Sequence, residues 1–180
     1  MFRVGDGADH SFDERYLPIA YTTGVAQKFE RPGLSGVIEL AAGSSLTNAP
    51  QEGGWCPIYG TLKGTGTLAG PFRFTGEDNR WEVTGASSVN SLNAVTFADA
   101  DSNALAGLKE LEVTFDAKPT KGRYELSDAL GLTAETAGDV ALTVTDEAGN
   151  DYANIISLTV EGGKLILSNP SAVRTLIIFR

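Results

Sequence analysis

Oxygen-bearing side chains at Asp99, Asp101, Asn103 and Glu110 have the spacing of an EF-hand calcium loop. Counted from Asp99 they occupy positions 1, 3, 5 and 12, from which such a loop supplies oxygen ligands to the ion. Ala104 stands where the loop needs glycine for its sharp turn, and the flanking segments alternate as strands do. Calcium therefore has a candidate site here, but we expect a polar turn between strands instead.

The chain contains one histidine and one cysteine. His10 lies among Asp6, Asp9 and Asp13, a set that offers an imidazole and carboxylates to a divalent ion. A single imidazole and a single thiol exclude zinc clusters and an internal disulfide. We interpret His10 as a surface histidine and Cys56 as a small buried hydrophobe, unless its thiol bonds to another chain.

Four aromatic residues offer a platform on which a sugar ring would stack, namely Trp55, Tyr59, Trp81 and Tyr124. Aromatic side chains on alternating strands more often belong to a core. The ligand candidates Trp55, Tyr59 and Trp81 therefore support glycan binding only as an alternative.

Catalytic machinery is not evident in the sequence. The chain has 23 acidic residues, so some pair, such as Glu110 and Glu112, always falls at a glycosidase-like distance. Serines occur in repetitive turns without a nucleophile elbow, and the glycine-rich stretches lack the lysine of a phosphate loop. We predict no catalytic residues, no cofactor and no enzymatic activity.

The elements that must position these residues are short strands. Glycine accounts for 21 of 180 residues, and the apolar residues come in short bursts that alternate with polar ones. This period of two is typical of half-buried strands. The stretch from Gly36 is repeated loosely from Gly60, an offset close to one coil of a β-solenoid.

The predicted fold is therefore all-β, with short β-solenoid-like coils followed by antiparallel C-terminal strands. A β-sandwich or jelly roll is the alternative. Residues 1–35 are predicted to be an irregular acidic arm and residues 36–180 a single domain, with Gly/Thr-rich coils over 36–106 and antiparallel closing strands over 107–180. Gly162-Gly163 predicts a hairpin turn, and residues 173–179 an ordered last strand.

Charge and hydropathy restrict the partners. With 14 basic and 23 acidic residues the formal net charge is −9, which repels nucleic acid and anionic lipid. No apolar run approaches the ~20 residues of a membrane-spanning helix, and no targeting segment is visible. We expect neither a nucleic-acid partner nor membrane insertion.

Four parts of the chain share one pattern, namely the glycine-rich coils, Gly122-Arg123-Tyr124-Glu125-Leu126, residues 160–167 and residues 175–180. They resemble the C-terminal regions of large secreted bacterial surface proteins with autotransporter-associated β-strand repeats. The resemblance implies an extracellular or cell-surface structural or adhesive module that closes a solenoid and has no catalytic residues. The end of the chain, residues 173–180, is apolar on both faces and is suited to strand exchange between subunits, so the expected partners are copies of this chain or other surface-protein subunits. The alternative is a carbohydrate-binding or accessory module of a glycan-degrading protein.

Overall fold

The computed structural model describes the backbone of residues 2–4 and 9–12 and the complete residues 36–48 and 54–172. In chain order the described strands are β1 (Phe2–Val4), β2 (Asp9–Phe12), β3 (Val37–Leu40), β4 (Ser45–Asn48), β5 (Cys56–Ile58), β6 (Thr61–Gly64), β7 (Thr67–Ala69), β8 (Phe72–Phe74), β9 (Arg80–Gly85), β10 (Thr96–Ala98), β11 (Glu110–Phe115), β12 (Arg123–Asp128), β13 (Ala141–Asp146), β14 (Ser157–Glu161) and β15 (Lys164–Ser168). Two short 3-10 helices, Thr136–Asp139 and Pro170–Ala172, are the helices of the described residues.

Three parallel sheets form the body of the molecule. Sheet 1 has the order β1-β3-β6-β9-β11-β13, sheet 2 the order β10-β7-β4-β2, and sheet 3 consists of β5 and β8. The chain visits the sheets in turn, so β3, β4 and β5 form one coil and β6, β7 and β8 form the next. Each coil places its strands beside the equivalent strands of its neighbours, as in a β-solenoid.

The core consists of inward-facing residues that stack from coil to coil. On sheet 1, Ile38, Leu62, Trp81 and Leu111 lie in register and are all fully buried. Every second residue of these strands faces inward because side chains alternate across a strand. Each such aliphatic side chain stabilises the fold by about 1.5–3 kcal/mol relative to an exposed position.

Glycines at two corners of a coil allow neighbouring coils to approach. Gly64 and Gly70 have φ values of +103° and +97°, a region that other residues rarely adopt. A Cβ atom on Gly64 would collide with the Leu40 carbonyl, and one on Gly70 with the Asn48 carbonyl. The glycine-rich sequence of residues 60–70 is therefore explained by tight turns at the corners of the coils.

An antiparallel sheet, β12-β15-β14, packs against the later coils. The hairpin of β14 and β15 turns at Gly162 and Gly163, whose φ values of +57° and +78° agree with the predicted turn. Tyr124 of β12 contacts Phe115 of β11 with ring centroids 4.7 Å apart. The closing sheet and the coils therefore share one core.

The predicted fold class is confirmed. Parallel solenoid-like sheets precede antiparallel C-terminal strands, and the described residues form no long helix. The alternative sandwich requires antiparallel pairing over residues 36–85, whereas β3, β6 and β9 pair in parallel there.

The boundaries inside the chain differ from the prediction. Parallel pairing continues beyond residue 106, because β11 and β13 both belong to sheet 1. Residues 1–35, the predicted irregular arm, contain β1 and β2. These strands pair in parallel with β3 and β4, respectively. Alternation indicates which face a side chain takes but carries no information on the direction of the neighbouring strand. The rest of residues 1–35, and residues 173–180 with their predicted last strand, lie outside the described ranges.

Candidate functional site

The outer face of sheet 1 carries charged residues that lie in register between coils. Arg80 of β9 donates from Nε to Glu110 Oε2 over 2.8 Å and from one terminal nitrogen to Glu112 Oε2 over 3.1 Å. Glu82 lies within 3.8 Å of the same guanidinium. The hydrogen bond to Glu110 raises the pKa of Arg80 above its usual value. One cation thus joins three carboxylates across two neighbouring strands.

The same face pairs charges on the earlier coils. Lys63 of β6 lies 3.9 Å from a carboxylate oxygen of Glu39 on β3, its register partner. Cross-strand pairs of opposite charge stabilise a sheet, whereas like charges directly opposite destabilise it. The charge pattern of sheet 1 therefore favours this stacking order.

Two of the four calcium-ligand candidates, Asp101 and Glu110, are paired with arginine side chains. Asp101 accepts a hydrogen bond of 2.8 Å from Arg73, and Glu110 is held by Arg80. The bond from Arg73 is the main cause of a lowered pKa of Asp101, and the backbone amide of Asn103 adds to it. Asp99 adopts a positive φ of 48°, and Ala104 is buried.

Within residues 36–48 and 54–172 no group of three or more His, Cys, Asp or Glu side chains is placed to hold a metal ion. The expectation of a polar turn rather than a calcium loop stays a prediction. His10 lies in β2, of which only the backbone is described, and Asp9 is in the same strand. Asp6 and Asp13 lie outside the described residues. Cys56 is buried in β5.

Trp81 cannot act as the predicted sugar platform. It is fully buried and packs edge-on against Phe97, with centroids 5.4 Å apart. Its position between polar neighbours places its side chain on the inner face of sheet 1. Tyr124 is equally buried, and its hydroxyl donates to the Ser87 carbonyl over 2.8 Å. Both aromatic residues belong to the core.

Trp55 and Tyr59 remain partly exposed. The guanidinium of Arg73 lies 4.9 Å from the Trp55 ring centroid, a cation–π distance. Because Arg73 also pairs with Asp101, one face of the Trp55 indole is part of an internal Trp–Arg–Asp arrangement. The four aromatic candidates are therefore not assembled into one platform.

A groove of about 350 Å³ lies where β9 and β11 end on the outer face of sheet 1. The hydroxyl-bearing residues Thr84 and Thr114 lie in register beneath it, and Thr145 of β13 continues the same row. We refer to these three residues as the threonine row. The threonine row was not predicted from the sequence, although its signal is present there. Three similar segments end in Val-Thr plus one residue, at residues 81–85, 111–115 and 142–146.

One wall of the groove is the loop that follows β9. The backbone amide of Ser87 donates to Asp116 Oδ1 over 2.7 Å, and the Ser87 carbonyl accepts from Tyr124 and Thr120. The bonds from Ser87 lower the pKa of Asp116, so this carboxyl stays ionised at neutral pH. Glu147 also lines the groove. The wall is thus fixed by hydrogen bonds to the sheet and to the core.

A second cleft, of about 270 Å³, lies between residues 91–97 and the antiparallel sheet. Lys164 at its margin is 2.8 Å from Asp128 and 3.3 Å from Glu125. The bonds to Asp128 and then Glu125 raise the pKa of Lys164, which keeps the amine protonated. A protonated lysine is not a nucleophile, so this cleft offers no activated amine.

Together, the fold and its charged face define the class: an all-β protein whose parallel coils stack in register and end in an antiparallel sheet. No family model, curated protein or solved structure matches the chain. Over the described part of the chain, none of the helices has the length and apolar character needed to cross a bilayer.

Proposed function

We propose that the protein is a non-catalytic structural or adhesive module that acts at the cell surface by assembly or attachment. The observation that carries this proposal is the pairing of Arg80 with Glu82, Glu110 and Glu112 across the coils. Glu110 and Glu112, the acidic pair considered for glycosidase-like chemistry, therefore form ion pairs between neighbouring coils. Asp101 is paired in the same way with Arg73.

The two ends of the stack support an assembly role. Among the described strands, none pairs with the outer edge of β1 or β2, which end sheets 1 and 2. At the other end of sheet 1, the backbone amide of Tyr152 donates to the Val144 carbonyl over 2.8 Å, so that residue 152 lies against the edge of β13. An open strand edge is a template for pairing with another strand, so further coils or a neighbouring subunit would add at β1 and β2.

A surface location follows from the resemblance to secreted repeat proteins and belongs to the same proposal. The alternative, a carbohydrate-binding module built on Trp55, Tyr59 and Trp81, has less support because Trp81 is buried and Trp55 stacks on Arg73.

Sedimentation velocity of the full chain over a wide concentration range tests assembly. We expect species larger than a monomer that grow with concentration, and loss of these species on deletion of residues 173–180, the segment predicted to exchange between subunits. The control is Thr145→Val, which leaves both the predicted exchange segment and the strand edges of β1 and β2 intact. A full chain that stays monomeric, or a truncated chain that assembles unchanged, would contradict this route of assembly.

A turnover assay tests the absence of catalysis. The full chain is incubated with neutral and acidic polysaccharides, and reducing ends are measured. Product formation that disappears in Glu110→Gln or Glu112→Gln would contradict the structural assignment of these carboxylates.

A further inference from the structure

The groove above the threonine row has a size and lining that the stacking role does not require. Its volume of about 350 Å³ falls within the roughly 300–1,000 Å³ typical of ligand pockets. Hydroxyl, amide and carboxylate groups line it beside an apolar strip, which makes up the larger part of its exposed surface. We propose that this groove binds a neutral saccharide.

The floor offers hydroxyl groups at a regular spacing. Thr84 and Thr114 are register partners on adjacent parallel strands, which lie about 4.8 Å apart. Each threonine hydroxyl both donates and accepts a hydrogen bond. A ligand rich in hydroxyl groups thus meets complementary partners on two successive strands.

The walls set the charge of the ligand. Asp116 and Glu147 are exposed carboxylates that accept hydrogen bonds from sugar hydroxyls. No lysine, arginine or histidine is among the groove-lining residues, all of which are described. A uronic acid or sialic acid would therefore meet like charge without a compensating cation, whereas a neutral sugar does not. The amide of Asn93 supplies both a donor and an acceptor on the loop side.

The apolar strip suits the carbon-bound hydrogens of a sugar ring. Val89 is 44% exposed and is one of two large hydrophobic side chains so exposed in the described chain. Gly85 and Ala86 extend the same surface toward the sheet. Covering Val89 with a ring removes apolar area from water, which contributes to binding.

The site is formed before any ligand arrives. Its floor lies on strands whose six-residue register is continuous, and its wall is held by Ser87 through Asp116 and Tyr124. Binding therefore costs little ordering of loops, a general source of affinity. This inference does not rest on the proposed assembly role, because the groove lies away from the edges of β1 and β2.

Isothermal titration of the full chain with neutral cello-, xylo-, manno- and malto-oligosaccharides tests the proposal, with oligogalacturonides as the acidic comparison. We expect at least one neutral series to bind and the acidic series to bind more weakly. Absence of binding by every neutral series, or tighter binding of the acidic one, would overturn the proposal.

The variant Thr84→Val/Thr114→Val replaces both hydroxyls by methyl groups of the same shape and keeps strand propensity. We expect binding to weaken roughly 25-fold, since each lost hydrogen bond weakens it about fivefold. Thr145→Val is the matched control, because Thr145 lies in the same row but outside the groove lining. Circular dichroism confirms that the variants are folded.

Val89→Ser is a second variant. Because the Val89 side chain is exposed, we expect this substitution to leave the fold intact. We expect it to weaken binding several-fold. Unchanged affinity in both groove variants, or a loss of affinity in Trp55→Ala that they do not show, would place the sugar elsewhere and overturn the assignment.

Discussion

Arg80 lies at the centre of the charged outer face of sheet 1. Glu82 and Glu112 are direct register partners on β9 and β11, so their carboxylates would repel each other without the guanidinium between them. Sequence order separates Arg80 from Glu110 by a whole coil, and only the stacking of coils makes them neighbours. This residue therefore reports directly on the coil register.

Replacing Arg80 with methionine removes the charge and keeps much of the apolar stem. We expect the free energy of unfolding to fall by about 1 kcal/mol at low salt, a modest value because these side chains are about a third exposed to screening solvent. Urea unfolding measures the difference, which should shrink in 1 M salt. The control is Arg123→Met, whose pair with Glu161 is half exposed and contributes less. Equal losses in the two variants would contradict a special role for Arg80.

Asp146 is a buried carboxylate at the end of β13. Its oxygens accept hydrogen bonds from Asn150 and from the Tyr152 hydroxyl, and the bonds from Asn150 are the main cause of its lowered pKa. The same carboxylate raises the pKa of Tyr152. These bonds organise the turn at residues 147–152 that covers the edge of β13.

A lowered folded-state pKa gives Asp146 a stabilising role that depends on pH. The contribution is present above the ordinary carboxyl pKa of about 4 and is lost as the pH falls through the lower folded value. We expect Asp146→Asn to unfold more easily than the parent at pH 7, and the gap to narrow below about pH 4. Urea unfolding at a series of pH values measures the gap. Asp139→Asn, at an exposed position, is the control, and a gap independent of pH would contradict the argument.

At the scale of the elements, the corners of the coils decide how closely strands stack. Gly70 follows β7 with a positive φ, and a side chain there would collide with the Asn48 carbonyl of the preceding coil. Gly138 lies in a 3-10 helix with open space around it. A Cβ atom is therefore excluded at Gly70 and free of contacts at Gly138.

We expect Gly70→Ala to lower the free energy of unfolding by about 2 kcal/mol or more, because the left-handed conformation and the collision both penalise a Cβ atom. Gly138→Ala is the matched control, and we expect a change within about 0.5 kcal/mol. Thermal and urea unfolding of both variants provide the comparison. A Gly70→Ala protein as stable as the parent would show that the corner tolerates a side chain.

At the scale of the whole molecule, the coils and the closing sheet are tied together. The backbone carbonyl of Glu125 in β12 accepts from the Leu92 amide over 2.9 Å, and its backbone amide donates to the Asn90 carbonyl over 2.7 Å. The Phe115–Tyr124 contact joins the same two parts inside the core. These links connect a parallel part and an antiparallel part that differ in strand direction.

We expect the two parts to unfold in one transition. In Trp55→Phe, fluorescence reports on Trp81 at the centre of the coils, while far-ultraviolet circular dichroism reports on all strands. Coincident urea transitions from the two probes indicate a single cooperative unit. Adding Tyr124→Ala to the Trp55→Phe protein is expected to separate the two transitions, because it removes the aromatic contact between the coils and the closing sheet. Separate transitions in the Trp55→Phe protein itself would instead divide the chain into two units.

The class of the fold can be predicted from local sequence patterns, because strand alternation and turn chemistry each depend on a few neighbouring residues. Leu111, Val113 and Phe115 alternate with polar residues, which places them on one face of a strand whatever its neighbours are. Gly162 and Gly163 specify a hairpin through their own φ values. Trp81 and Val83 are two residues apart in one strand, so alternation already predicts that both face the core. The burial of Trp81 shows that its choice as a ligand residue was wrong.

The residues that face each other across coils could not be predicted from the sequence, because their pairing depends on how the coils stack. Successive strands of sheet 1 are separated by unequal stretches of chain, so the partner of Arg80 depends on loop lengths and packing rather than on a fixed repeat. For the same reason the sequence did not reveal that Asp101 pairs with Arg73, a residue of an earlier coil. The groove over Thr84 and Thr114 likewise arises where two strands stack and a distant loop folds back. Strand alternation is specified within a few residues, but register and direction are set by the packing energy of the assembled core, which no single segment contains.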